Sequence, residues 1–111
     1  MRRFFNRLAV CYVVVPAGEE RAASSLCVGD DRYQIICEES VVPEFRSLRG
    51  ADNSRGWFRQ QLIKLGIADI ITSDFYLSLD ADCICVRSVD HAVLVQNGKG
   101  FVKYIANASH P

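Results

Sequence analysis

Asp80 and Asp82, one residue apart, close an apolar run, and together they form the chain's most chemically suggestive pair. The run, Phe75-Tyr76-Leu77-Ser78-Leu79, has the length and aromatic–aliphatic make-up of a buried strand, with no polar spacer before Asp80-Ala81-Asp82. Strand side chains alternate faces, so both carboxylates are expected to point the same way. Like charges held that close repel, and one acid tends to stay protonated unless a cation sits between them. A divalent ion that prefers oxygen ligands, Mn²⁺ or Mg²⁺, relieves that repulsion. In a parallel sheet, the carboxyl end of such a strand is also where open α/β folds bind ligands. The chemistry expected is metal-assisted handling of a diphosphate. The same acids also suit the start of a surface turn, and spacing alone does not separate the two readings.

The segments that must position this pair alternate in type. Leu8–Val15 is a continuous β-branched apolar run, as expected of a strand covered on both faces, and Pro16 stops it. Ala17–Leu26 is expected to form a short helix, Gly29-Asp30-Asp31 a turn, and Tyr33–Cys37 a second strand with Glu38 and Glu39 at its carboxyl end. Val41–Leu48 reads as a loop leading to one helical turn, and the polar stretch Arg49–Gly56 as a loop. In Trp57–Ile70, Phe58, Leu62, Leu65 and either Ala68 or Asp69 recur at helical spacing, while Trp57, Gln61 and Lys64 share another face. Asn53 or Ser54 is the expected N-cap, and Trp57 reads as a core anchor. After the acids, Cys83–Arg87 and Ala92–Gln96 read as short strands, Asn97-Gly98 as a two-residue hairpin turn, and Phe101–Ile105 as the return strand. This order predicts a layered α/β domain with a mainly parallel sheet and an antiparallel addition.

At 111 residues, half of them apolar and 23% charged, the chain is expected to form one globular domain. Lysine plus arginine and aspartate plus glutamate number 13 each, with no basic run, which argues against nucleic acid as a partner. Cys11, Cys27, Cys37, Cys83 and Cys85 lie mostly within apolar runs and show no zinc-type spacing. They read as buried small hydrophobes in a reducing, cytoplasmic compartment. Arg2 and Arg3 ahead of Leu8–Val15 superficially resemble a signal peptide, but the apolar stretch carries Tyr12 and sits at the short limit. It is far too short to span a bilayer, and a core strand is the better reading. His91 and His110 are isolated histidines to which the sequence assigns no role.

Arg55-Gly56-Trp57-Phe58-Arg59-Gln60-Gln61-Leu62-Ile63-Lys64-Leu65, followed by Asp74-Phe75-Tyr76-Leu77-Ser78-Leu79-Asp80-Ala81-Asp82, resembles a bacterial glycosyltransferase-like family of the DUF6492 type. Its members carry a Gly-Trp-x-x-Gln-Gln-x-x-Lys-Leu helix ahead of an Asp-Phe-Tyr-Leu-x-Leu-Asp-Ala-Asp segment. More broadly the stretch is similar to GT-A nucleotide-sugar transferases, in which Asp-x-Asp follows an apolar strand. The resemblance covers residues 55–87. It implies a three-layer, GT-A-like (partial Rossmann-like) mostly parallel sheet with a C-terminal β-hairpin. It further implies that Asp80 and Asp82 hold Mn²⁺ or Mg²⁺ on the diphosphate of a nucleotide-sugar donor. Lys64 and Arg55 would add positive charge to the phosphates or hold the sugar, and Gln60 and Gln61 would hydrogen-bond sugar hydroxyls. No catalytic base is assigned. The acceptor would be a sugar or lipid, with peripheral association at a membrane compatible but no transmembrane segment. Leu8–Val15 looks like the second strand of such a sheet, and the acceptor half expected beyond Ile105 is absent, so the resemblance implies a truncated domain.

Two other readings compete. A non-catalytic module would keep the sheet and bind a partner protein or nothing, leaving apolar edges exposed. A phosphatase of the haloacid dehalogenase type also places Asp-x-Asp after an apolar strand, its first aspartate a nucleophile. There a small residue and threonine usually follow; here Cys83-Ile84 follow, late in the chain.

Overall fold

Five residues of the first apolar run, four of them β-branched or aromatic, pair with the second. In a computed structural model that describes residues 9–48 and 56–100, β1 (Cys11–Val15) lies parallel to β2 (Tyr33–Cys37), Cys11 opposite Tyr33 and Val15 opposite Cys37. Parallel strands need a crossover, and helix α1 (Glu20–Leu26) supplies it. The expected helix loses its first residues to a turn in which Gly18 adopts φ +95°, a region that disfavours side chains, and donates its N–H to Glu20 Oε2 at 2.8 Å. α2 (Glu38–Val41) follows β2 directly, then a 3₁₀ segment (Pro43–Leu48), α3 (Gly56–Gly66) and a 3₁₀ turn (Ile67–Asp69).

These elements belong to a compact unit spanning Ala9–Asp80. Among its described residues the buried apolar ones are Val41, Phe45 and Ile67, with Phe45 only 1% exposed. Arg59 from α3 lays its guanidinium over the Phe45 ring, 4.2 Å from the centroid, and pairs with Glu38 of α2. At the other end of α3, Gly66 allows close approach: a Cβ there would stand 3.2 Å from the Val41 carbonyl oxygen. The face of α3 turned toward α2 therefore runs through Arg59 and Gly66, four and three intervals around Ile63.

Ala81 begins a second compact unit, whose described residues end at Gly100. It contains a helical turn, α4 (His91–Leu94), and a hairpin of β3 (Val95–Gln96) and β4 (Lys99–Gly100), antiparallel with Val95 opposite Gly100. Asn97 (φ 53°) and Gly98 (φ 71°) form the turn between them, as the dipeptide predicts. The described fold is thus a small mixed α/β arrangement, a two-stranded parallel sheet with helices and an antiparallel hairpin.

Several expectations need correction. Phe75–Leu79 is not a strand: it joins no ladder, and Phe75, Tyr76, Leu77 and Leu79 are each 37–49% exposed. β-propensity expresses fit to a pleated, half-buried surface, and without a neighbouring strand the run has none. Cys83–Arg87 likewise joins no strand, and most of Ala92–Gln96 winds into α4. The helical spacing read through Trp57–Ile70 corresponds to α3 only as far as Gly66. Its Phe58, Leu62 and Leu65 stripe is exposed, and Trp57, expected in the core, is 65% exposed and packs edge-to-face on Phe58. Cys83 is exposed and the other four cysteines are half-buried, short of the full burial expected of small hydrophobes. Asn53, Ser54 and the return strand Phe101–Ile105 lie outside the described residues. Among the described residues, no helix is long and apolar enough to cross a membrane.

Phe45→Ala should lower unfolding free energy by about 3 kcal/mol, the usual cost of emptying a buried phenylalanine site. Urea unfolding followed by far-UV circular dichroism measures it; a loss within error of zero would show that this corner is not the unit's core.

Candidate functional site

Helix α3 carries three of the donor-site residues named from sequence. Gln60, Gln61, Leu62, Lys64 and Leu65 are good helix formers, and Lys64 in the last turn suits the negative end of the helix. Gln60 and Gln61 precede Lys64 by four and three positions, so all three side chains start from adjacent points on the helix surface. Gln60 is exposed and Gln61 half-buried.

The chain after α3 returns to this turn twice. The Tyr76 hydroxyl donates to the Lys64 carbonyl oxygen at 2.7 Å. The Lys64 ammonium then meets Asp80 Oδ1 at 2.6 Å. One residue thus receives both ends of Tyr76–Asp80, through its backbone and through its side chain. The lysine and aspartate side chains are 30% and 50% exposed, so the pair is screened by water and its attraction is modest. Asp80 stays open to solvent with a cation already on one oxygen.

Asp82 is exposed in the turn formed with Ala81, at the start of the second unit. The surface-turn reading of the acids therefore describes the local backbone, which in itself neither makes nor removes a metal site. Arg55 lies outside the described residues. Among the described residues, no three His, Cys, Asp or Glu side chains gather as a ready-made metal cage. Mg²⁺-type sites on nucleotides do not need one: one or two carboxylates, substrate phosphates and water complete the shell. Hard carboxylate oxygens on a solvent-open aspartate fit that donor chemistry.

A second charged cluster stands at the carboxyl end of β2. Glu38 pairs with Arg59, and buried Glu39 approaches Arg46 at 4.0 Å. Near the end of β1, backbone N–H groups of Glu20 itself and Gly18 hold the Glu20 carboxyl below the ordinary carboxylate range. Glu38 and Glu39 are visible in sequence as acids after an apolar strand. Arg59 carries no such signal, because its partner is 21 residues away.

In class, this is a small mixed α/β protein with an Asp-x-Asp turn whose first acid is paired to a helix lysine. Residues 1–111, the whole chain, match the model of a family of unknown function (DUF6492), and the chain belongs to that family. No curated protein and no solved structure matches it. The family's description assigns no activity, so the link to nucleotide-sugar transferases stands on the motifs of residues 55–87 alone.

A double-mutant cycle of Lys64→Met and Asp80→Asn should give a stability coupling of about 0.5 kcal/mol, as exposed ion pairs do. It should shrink further in 1 M salt. Coupling well above about 1 kcal/mol would show that the pair holds this segment in place, not merely neutralises it.

Proposed function

We propose that this protein is a metal-dependent, GT-A-like nucleotide-sugar transferase in which Asp80 and Asp82 receive the donor diphosphate with Mn²⁺ or Mg²⁺. The observation that carries the reading is the Lys64–Asp80 contact at 2.6 Å. Two residues singled out for the same diphosphate, 16 positions apart in sequence, share one point of the fold.

When bound, the divalent cation supplies Lewis-acid stabilisation of the charge that develops on the departing diphosphate. The chain's own groups do the rest. Lys64 offers three N–H donors on a flexible stem to phosphate oxygens. Gln60 and Gln61, beside it on α3, present amides to donor hydroxyls, and Arg55, which precedes Gly56 in sequence, adds charge. Tyr76 fixes the backbone from which Lys64 reaches out. The three-layer GT-A-like sheet belongs to this proposal; what supports it is the parallel β1–α1–β2 unit.

A second reading is favoured by a separate observation. Phe58, Leu62 and Leu65 expose an apolar stripe of α3, Trp57 at the helix start is exposed as well, and Phe75–Leu79 is half-exposed. Such surface suits a non-catalytic module that binds through it.

Calorimetric titration with uridine diphosphate, with and without Mn²⁺, separates the two. The transferase reading expects Mn²⁺-dependent binding that Asp80→Asn/Asp82→Asn weakens at least about 100-fold, the loss of charged contacts worth roughly 1.5–3 kcal/mol each. A folded protein with no nucleotide affinity would leave the non-catalytic module.

A further inference from the structure

The contact between Lys64 and Asp80 creates a conflict for any cation that arrives. The ammonium already occupies Oδ1 of the carboxylate, at 2.6 Å. A divalent ion bound to the same carboxylate would stand beside a like charge, which Coulomb repulsion disfavours. Both groups are half-exposed, so nothing buried has to be broken to separate them. Lysine is a compact charge on a four-carbon stem and moves by rotamer change alone. Its backbone need not follow, because Tyr76 holds the Lys64 carbonyl oxygen at 2.7 Å.

We propose that Lys64 is an exchangeable internal counter-ion: it neutralises Asp80 in the empty protein and is released to a phosphate oxygen when a divalent cation and a nucleotide diphosphate bind together. The inference presupposes the donor-site reading of Asp80 and adds an order of events to it. Metal alone must displace Lys64 and leave it unpaired. Metal with diphosphate displaces it and gives it a new partner of opposite charge. The protein therefore binds the metal–diphosphate complex in preference to the bare ion, and the ion and the nucleotide bind with positive coupling. Gln60 and Gln61, four and three positions before Lys64 on α3, are neutral donors and acceptors that add no competing charge there.

The test uses the full 111-residue chain and three probes: Mn²⁺ alone, uridine diphosphate alone, and the two together. Free Mn²⁺ is read by electron paramagnetic resonance and nucleotide binding by calorimetry. In Lys64→Met, Mn²⁺ alone should bind about two- to five-fold tighter, because the competing ion pair is gone. Uridine diphosphate with saturating Mn²⁺ should bind about ten-fold weaker, because its lysine contact is gone. Lys64→Gln, a polar variant, should shift both readings in the same directions, with circular dichroism confirming the fold. In an Asp80→Asn background, Lys64→Met should no longer tighten Mn²⁺ binding.

Mn²⁺ affinity that is unchanged or weaker in both lysine variants would overturn the exchange. If the wild type still bound the metal–diphosphate complex, the donor site would stand without it. Absence of Mn²⁺ and nucleotide binding in every variant would remove the donor site and the exchange together. Mn²⁺ binding gained only when Lys64 is replaced would support the exchange directly.

Discussion

The Ala9–Asp80 unit depends on one buried corner, where Arg59 covers Phe45. The side chain of Phe45 is almost wholly removed from water, yet the group laid over it is charged. That arrangement is tolerable because the guanidinium is weakly hydrated, stacks on an aromatic face and keeps a carboxylate partner in Glu38. The contact fixes the start of α3 on α2, and Gly66 lets the end of the same helix approach Val41. With both points set, the last turn of α3 is placed, and so is Lys64.

From Lys64 the candidate site follows. The helix presents a lysine flanked by two glutamines, and Tyr76 and Asp80 come back to its backbone and side chain. Segment 75–80 joins no sheet ladder, so these two polar contacts, together with partial burial of its apolar side chains, orient it. The consequence is chemical: the first acid of the Asp-x-Asp turn is paired with a lysine on a flexible, half-exposed stem. A site held by screened, half-exposed charges rearranges at low cost, whereas the Phe45 corner does not.

Much of the architecture was legible in residue pattern. β1 and β2 are short β-branched and aromatic runs, and their pairing needed only a crossover helix of the right length. The Asn97-Gly98 turn was legible because both residues must adopt positive φ, which few residue types accept. The acidic residues at 80 and 82 and the helix carrying Gln60, Gln61 and Lys64 were equally visible. What misled was apolar content without a partner: Phe75–Leu79, the Phe58–Leu62–Leu65 stripe and Trp57 all read as interior and stand at least partly in water.

The sequence by itself determined local matters: the β1 and β2 runs, the Asn97-Gly98 turn, which helix holds the amides and the lysine, and which acids follow the apolar run. These depend on side-chain type and period within a few residues, so pattern suffices. Tertiary structure decided which face of α3 is covered, that Arg59 caps Phe45, and that Lys64 meets Asp80. Each of those joins residues 14 or more positions apart, where the outcome rests on the path of the intervening chain and on competition among many apolar groups for little buried volume. No local rule encodes that competition. It is settled only when the whole unit packs.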